Sequence, residues 1–188
     1  MNILIIDIET TGFLGKGSII EVGMVSLNLN TGGVKVLFDS LCCENIFSDK
    51  HYKHPLGWIF NNSDITPDDI WDAPDFDTLK EEMQYHIDNH KLGATAFNNI
   101  FDFKFLEDRG LTFGIKLPCP MKLATPIIKL PQKGNIGGYK WPNVEEAWKH
   151  FFPDTQYTEL HRGADDARHE AYIIYELYKL GKFKVEGI

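Results

Sequence analysis

The run Asn2-Ile-Leu-Ile-Ile-Asp-Ile-Glu-Thr-Thr-Gly12 decides how this chain is interpreted. Four apolar residues, Ile3 to Ile6, lead without interruption into Asp7, and Glu9 follows two positions later. Because the run is rich in β-branched residues and ends in Thr-Thr-Gly, it predicts a strand buried on both faces. Residues i and i+2 of a strand point to the same side, so the two carboxylates are expected to lie next to each other.

Two neighbouring carboxylates at the end of a buried strand repel each other and are costly to remove from water. The usual compensation is a divalent cation held by oxygen ligands. The alternative is a strand that simply ends in two exposed acids. The remaining acids of the chain have to decide between these two interpretations.

The composition is that of an ordinary globular protein. With 188 residues, 43% hydrophobic and 24% charged, the chain is expected to form a single domain spanning 1–188. No apolar run approaches the roughly 20 residues that cross a bilayer, and the N-terminus lacks a signal-peptide pattern. The three cysteines form no Cys-x-x-Cys pair. We therefore expect a cytoplasmic protein with no membrane partner.

The net charge of −8 restricts the contacts that the protein can make with nucleic acid. A protein that holds a duplex through many phosphates is expected to be basic, so the charge argues against a high-affinity duplex binder. It does not exclude an enzyme that meets a polyanion through bound cations, because the ions supply the local positive charge.

Strands interrupted by helices predict an α/β fold with a mixed central sheet. The opening strand and the runs 19–27 and 34–40 are expected to form an antiparallel meander, in which the first strand is the most buried. A short strand is expected at 94–97, and a short capped helix or turn at 63–70. Helical spacing predicts five longer helices, at 75–89, 100–109, near 121–128, at 143–152 and at 163–180.

Two further acids and one histidine are candidates for a site. Asp102 lies in the first turn of the helix at 100–109, although a helix dipole favours an acid there in any case. In the last helix, Asp165 falls on the solvated side, whereas Asp166 falls on the flank of the apolar face and can reach a cleft. His161, just before that helix, can turn toward the same cleft.

Three segments together resemble the motifs of the DnaQ-like, or DEDDh, 3′–5′ exonucleases: Asp7-Ile-Glu-Thr-Thr-Gly12, Ala96-Phe-Asn-Asn-Ile-Phe-Asp102 and His161-Arg-Gly-Ala-Asp-Asp166. They occur in the order of that family. The resemblance implies a ribonuclease H-like fold, in which parallel strands extend the antiparallel meander and helices flank the sheet. The chain departs from the family pattern at three positions, which usually hold His, Ala and Ala: Phe97, Asn99 and Gly163.

The four acids are oxygen donors, which suit Mg²⁺ or Mn²⁺ better than zinc. By resemblance, Asp7 bridges two cations, Glu9 and Asp166 complete the site of one, and Asp102 holds the other, partly through water. The resemblance also makes His161 the general base that deprotonates the attacking water, a task that suits an imidazole with an unperturbed pKa of about 6.5. The implied product is a nucleoside 5′-monophosphate released from a 3′ end.

The resemblance also implies residues that contact the substrate. In this family the segment Thr10, Thr11, Gly12 and Phe13 lies under the terminal nucleotide. Phe13 offers a face for stacking, unless it packs in the core. Asn98 either touches the substrate or only caps the helix at 100–109.

A basic stretch is a candidate for strand binding. From Arg109 to Val144 the chain has six basic residues and no acidic one. We expect phosphate contacts from its lysines, unless the stretch is merely solvated: Lys116, Lys122, Lys129, Lys133 and Lys140. The four tryptophans are expected to pack in the core or at its edges rather than to stack on bases.

The leading interpretation is a metal-dependent 3′–5′ exonuclease acting on single-stranded or frayed DNA. A role in proofreading or repair, beside a DNA polymerase or replication complex, stays open. The alternative is a 3′–5′ exoribonuclease similar to ribonuclease T or oligoribonuclease, because the choice depends on how the pocket treats a 2′-hydroxyl. An alternative of another class is a non-catalytic subunit of a polymerase complex, against which the presence of all four acids and His161 speaks.

Overall fold

The computed structural model of the chain describes residues 1–132 and 137–185. Its sheet has four strands: β1 (Asn2–Thr10), β2 (Ile19–Asn28), β3 (Val34–Leu41) and β4 (Ala94–Thr95). Their order across the sheet is β3-β2-β1-β4, with β4 parallel to β1 and the other pairs antiparallel. The predicted mixed sheet built on an antiparallel meander is confirmed.

The described residues form six α-helices around the sheet: α1 (Pro67–Trp71), α2 (Phe76–Asn89), α3 (Asn99–Asp108), α4 (Pro120–Ile128), α5 (Val144–Phe151) and α6 (Gly163–Lys179). Each of the five longer helices begins and ends within one residue of its predicted bounds. Two short 3-10 helices, Asp49–Tyr52 and Ile59–Asn61, lie between β3 and α1. Among the described residues, none of the helices combines the length and the apolar character that crossing a bilayer requires.

The alternation of side chains along β1 decides where the acids point. Ile3 and Ile5 pack in the core formed with α4, α5 and α6. Leu4 packs on the opposite face, in the core formed with α2 and α3. Because alternate residues of a strand share a face, Asp7 and Glu9 continue the row of Ile3 and Ile5 toward α6.

The expectation that β1 is the most buried strand is wrong. In β2, nine consecutive residues, Ile19–Leu27, are buried. In β1, by contrast, burial becomes partial at Asp7, Glu9 and Thr10. The difference arises because β2 lies between β3 and β1, under α6, whereas the carboxyl end of β1 opens on a cleft.

The beginning of α6 touches β2 backbone to backbone. A Cβ atom on Gly163 would lie 2.7 Å from the Gly23 nitrogen, and a Cβ on Gly23 would lie 2.0 Å from the Gly163 carbonyl carbon. Beside this contact the buried Glu21 accepts hydrogen bonds from Arg162 Nη2 at 2.9 Å and from the Gly163 backbone nitrogen at 3.0 Å. The contact explains why Gly163 stands where the family pattern has Ala.

Replacing Gly23 by Ala is expected to lower the free energy of unfolding by about 1–3 kcal/mol, because the new methyl group can be accommodated only if α6 moves away from the sheet. Urea denaturation measures the change. The control is Gly114→Ala, where an added Cβ meets no atom within 4 Å; its effect should stay within about 0.5 kcal/mol. Equal effects of the two substitutions would contradict the close contact.

Candidate active site

The end of β1 brings two carboxylates to the wall of a cleft. Asp7 and Glu9 both line this cavity, whose volume is about 410 Å³. Oδ2 of Asp7 is buried and accepts no hydrogen bond from any described residue. A buried carboxylate oxygen without a donor is costly, so this atom calls for a partner that the described protein atoms do not supply.

Helix α6 supplies the acid that faces the end of β1. Asp166 is only 1% exposed, and hydrogen bonds hold both of its carboxylate oxygens. Oδ1 accepts from the Tyr157 hydroxyl at 2.5 Å, and Oδ2 accepts from the Arg162 backbone nitrogen at 3.0 Å. Asp165 turns away and lies 3.4 Å from His169 Nδ1. The structure therefore brings Asp166, and not Asp165, beside the acids of β1.

His161 lies immediately before α6, with φ of 54° in the left-handed region. Its Nδ1 lies 3.9 Å from Glu9 Oε1, and its ring packs edge-on against Trp58, with ring centroids 4.9 Å apart. Glu9, His161 and Asp166 each offer one potential metal-ligand atom, and these three atoms lie within 4.8 Å of one another. The three side chains are thus close enough to surround a single small cation.

Helix α3 carries the remaining predicted acid into the same cleft. Asp102 is buried and lines the cavity, and burial raises its pKa to about 7. Asn98 occupies the N-cap position of α3, but its side chain makes no capping hydrogen bond and instead lines the cleft. The alternative that Asn98 serves only as a cap is therefore wrong, whereas its contact with substrate stays a prediction.

Two departures from the family pattern have structural roles near this cleft. Phe97 is buried in the core that α4, α5 and α6 share, and it also lines the cleft. Asn99 is also buried, and its Nδ2 donates a hydrogen bond to the Leu117 carbonyl oxygen at 3.0 Å. Both side chains stabilise the segment that carries Asp102.

Two glutamates that the sequence did not indicate also line the cleft. Glu170 is buried one helical turn after Asp166, and its Oε2 accepts a hydrogen bond from the Phe97 backbone nitrogen at 3.2 Å. Its spacing of four residues from Asp166 was the available signal. Glu159 lies in the loop before α6, where no periodicity applies, and burial raises its pKa to about 7.

The pKa values of these acids rise together. Burial raises the pKa of Asp7 well above its usual range, and the charges of four neighbouring acids raise it further: Glu170, Glu9, Asp102 and Asp166. Burial is also the main cause of the raised pKa values of Glu9 and Glu170. Within residues 1–132 and 137–185, no Lys or Arg forms an ion pair with any of these five acids.

The donor set fits a divalent cation. It combines carboxylate oxygens, an excess of negative charge and a buried Asp7 oxygen without a donor. Hard divalent cations such as Mg²⁺ take oxygen ligands of this kind, and their charge would reverse the cost of ionising the buried acids. Imidazole and thiolate groups, which zinc prefers, are represented in the cleft only by His161 among the described residues.

The four predicted substrate residues after Glu9 do not line the cleft itself. Thr10 and Thr11 use their hydroxyl groups in hydrogen bonds within the loop that follows β1. Gly12 packs against Leu56, since a Cβ there would lie 2.3 Å from Leu56 Cδ2. Phe13 is 81% exposed, so the alternative that it packs in the core is wrong. Substrate contact by these four residues stays a prediction.

Two tryptophans differ from the expectation that they pack in the core or at its edges. Trp58, which packs against His161, is 57% exposed, and Trp141, which lines the cleft, is 59% exposed. Both present aromatic surface beside the candidate site. The local sequence could not predict this exposure beside the site, because only the folded chain brings Trp58 and Trp141 to the cleft.

The basic stretch from Arg109 to Val144 offers less free charge than its sequence indicated. Lys116 forms an ion pair with Glu107, and Lys140 forms one with Glu146. These carboxylates flank the stretch in sequence and neutralise two of its five lysines. The predicted contact by Lys133 lies outside the described residues.

The sequence matches one family model. Residues 4–174 match the model described as "RNase_T: Exonuclease". No match was found among curated proteins.

Solved structures share the fold. The nuclease domain of 3′hExo, described as a DEDDh family member bound to rAMP, has a TM-score of 0.72 and 20% identity, covering 98% of this chain and 96% of that one. A 3′-exonuclease described in 3′-end specific recognition of a histone mRNA stem-loop has a TM-score of 0.70 and 17% identity, covering 98% and 84%. Cell-death related nuclease 4 has a TM-score of 0.68 and 15% sequence identity, and the match covers 98% of this chain and 66% of that one. At these identities the likeness shows the fold, which is the predicted ribonuclease H-like fold.

In EDTA, the melting temperature of the protein is expected to fall as the pH rises from about 5 to 8. The clustered acids have raised pKa values in the folded state, so the folded state binds more protons than the unfolded state in this range. Stability is therefore lost as the pH rises toward the folded-state pKa values. Asp7→Asn removes one of the interacting charges, and its melting temperature should fall less. Scanning calorimetry of both proteins checks this.

Adding Mg²⁺ provides a control for this pH dependence of the melting temperature. At pH 8 it should raise the melting temperature of the wild type more than that of Asp7→Asn, because a ligand that binds only the folded state stabilises it. Histidines elsewhere are common to both proteins and cancel in the comparison. Identical pH curves for the two proteins would contradict the proposed electrostatic strain.

Proposed function

This chain belongs to the RNase T family of exonucleases, in its DEDDh, DnaQ-like branch, and from that premise we propose that it releases nucleoside 5′-monophosphates from the 3′ ends of single-stranded or frayed DNA. The convergence of carboxylates from β1, α3 and α6 beside His161 is the observation that carries the proposal. We also propose that residues 1–188 act as one exonuclease domain. Its three free thiols suit the reducing, cytoplasmic compartment that we propose.

Asp7, Glu9, Asp102 and Asp166 are the residues that would hold two divalent cations, Mg²⁺ or Mn²⁺. Bound there, the cations would stabilise the attacking and leaving oxygens of an in-line displacement at phosphorus. Tyr157 keeps one oxygen of Asp166 engaged at 2.5 Å and so fixes the direction of this carboxylate. Preorganised ligands of this kind cost no rearrangement during the reaction.

His161 is the proposed general base, which removes a proton from the attacking water. Its ring lies between Glu9 and the edge of Trp58, so its direction is restricted on two sides. The neighbouring Arg162 is bound to Glu21 and anchors the loop to β2. A base held in this way can act on a water placed in the cleft without first having to be ordered.

A 3′–5′ exoribonuclease is the second candidate. It is favoured by the two relatives described with a histone mRNA stem-loop and with rAMP, which are ligands of the ribose type. Recognition of a 2′-hydroxyl would decide between the two substrates. None of the three structural relatives named above is described as a polymerase subunit, so proofreading beside a polymerase has no support from them.

Matched 5′-labelled DNA and RNA oligonucleotides of one sequence, incubated with Mg²⁺ or EDTA, test the activity and the substrate. We expect products that shorten from the 3′ end, require the metal and are lost by more than about 100-fold in Asp7→Ala, since even residues behind the ligands of metal sites typically affect activity 10–100-fold. Faster shortening of RNA would replace the DNA assignment by the second candidate. Shortening of neither would contradict the activity.

His161→Asn tests the general base, because asparagine tolerates the left-handed φ of this position better than most residues. The value of kcat should fall by about 10²–10⁴-fold, while Mg²⁺ affinity measured by titration calorimetry stays nearly unchanged. The matched control is His150→Gln, an exposed histidine on α5 that should leave kcat unaltered. A loss of Mg²⁺ affinity in His161→Asn would make this histidine a ligand rather than a base.

A further inference from the structure

A second and larger cavity lies beside the loop that follows β1. Its volume is about 870 Å³. One part of its wall is the loop 15–17, and another is the segment 50–56, which begins within the first 3-10 helix. Arg109, at the end of α3, and Glu44 complete the wall, and they are bound to each other through two hydrogen bonds of 2.6 and 2.9 Å.

Three lysines give this cavity an excess of positive charge. Lys16, Lys50 and Lys53 line it, and across the described residues neither Lys16 nor Lys50 forms an ion pair. Lys53 has only a long contact of 4.0 Å to Asp49, with both side chains mostly exposed, and such pairs contribute little. In a protein of net charge −8, three lysines around one cavity attract a polyanion locally.

The acids of this cavity do not cancel these lysines. Glu44 is already neutralised by Arg109, as described above. Asp108 is bound to Lys104 at 2.6 Å, on the exposed side of α3. The charge available to a ligand therefore comes from the lysines.

The segment that carries Lys50 and Lys53 is fixed by packing. His51, between them, is fully buried, its Nδ1 accepts a hydrogen bond from the Ser48 backbone nitrogen at 3.1 Å, and its ring stacks on Phe47. Phe47 in turn belongs to a small core that includes Ile20 of β2. The two lysines thus project from an ordered turn rather than from a free loop.

The same segment connects the cavity to the catalytic cleft. Leu56 lines the cavity, and Trp58 packs against His161. Two residues span at most about 7.6 Å, so the two sites are close neighbours. The Gly57 backbone nitrogen donates a hydrogen bond to the Thr11 carbonyl oxygen at 2.8 Å, which joins the segment to the loop that bears Phe13.

We propose that the three lysines bind backbone phosphates of the substrate strand a few nucleotides upstream of its 3′ end, while Phe13 and Trp58 offer stacking faces to the bases between. This inference rests on the proposed exonuclease function. A single strand is held sequence-independently by cations that follow its backbone and by aromatic rings that stack on its bases. Both kinds of group are present here: three lysines line the cavity, Phe13 and Trp58 are exposed, and Trp58 packs against the proposed catalytic base.

The first measurement is binding, made in the Asp7→Asn background so that the strand stays intact. Fluorescence anisotropy with a 5′-labelled oligothymidylate of 12 nucleotides compares this protein with one that also carries Lys16→Gln, Lys50→Gln and Lys53→Gln. The triple substitution should weaken binding by about 10- to 100-fold at 50 mM salt. It should also reduce the slope of log Kd against log salt by about 2, since each phosphate contact of a single strand contributes roughly 0.7.

The second measurement is cleavage, made without the Asp7 substitution. The triple lysine variant should have a higher KM for the 12-mer than the wild type. Its kcat and KM for a dinucleotide should equal those of the wild type, because a dinucleotide is too short to reach the cavity. A matched control changes Lys91, Lys149 and Lys182 to Gln, none of which lines either cavity. This control should change neither the salt slope nor KM.

Several results would overturn the inference. The first is an unchanged salt slope in the triple lysine variant. The second is an equal rise of KM for the dinucleotide and the 12-mer in that variant. The third is an equal weakening of binding in the control variant. If the triple variant folds poorly, Lys53→Gln alone, at a side chain 68% exposed, should still reduce the slope by about 0.7. Absence of cleavage of both substrates by the wild type would contradict the exonuclease proposal instead, and the binding measurement would still decide on the cavity.

Discussion

The direct backbone contact between α6 and β2 is the constraint on which the candidate site depends. Gly23 and Gly163 bring the helix onto the sheet without intervening side chains, and the Glu21–Arg162 interaction fixes its first residue. Asp166 and His161 flank this contact. Because Asp7 and Glu9 project from the same face of the sheet, the depth at which α6 sits determines the separation of the acids. The contact between α6 and β2 therefore supports both the fold and the proposed chemistry.

Holding the acids together is unfavourable for the metal-free protein. Burial and mutual repulsion raise the pKa of Asp7, and Glu170 is the neighbour whose charge contributes most to that increase. Such a cluster is tolerated because two large apolar cores, one on each face of the sheet, stabilise the frame around it. A bound cation would offset the repulsion among these acids.

Much of the fold and part of the candidate site follow from local periodicity, whereas the resemblance to the exonuclease motifs supplied the rest of the site. Alternation along β1 predicted that Asp7 and Glu9 share a face, and the helical spacing of α6 distinguished Asp166 from Asp165. Both rules concern neighbours in sequence. Glu170 obeys the same helical rule, but the rule alone does not single it out, because a glutamate in a helix is usually exposed.

Other features could not be predicted because they depend on contacts between distant segments. The partners of Lys116 and Lys140, Glu107 and Glu146, lie just outside the basic stretch from Arg109 to Val144. Trp58 reaches His161 from the segment between β3 and α1, which is irregular in sequence and is hydrogen-bonded to the loop after β1. The greater burial of β2 results from its position in the sheet, which no pattern within the strand reveals.

The glycine contact under α6 also bears on how this protein could diverge. At the present spacing of helix and strand neither glycine has room for a side chain, so an alanine at either position requires the helix to move away from the sheet. New substrate preferences would then arise by mutation in the segments that carry Trp58 and Trp141, which border the cleft without supporting it. Sequence changes that alter substrate preference would then collect at the rim of the cleft, where they leave the spacing of helix and sheet unchanged.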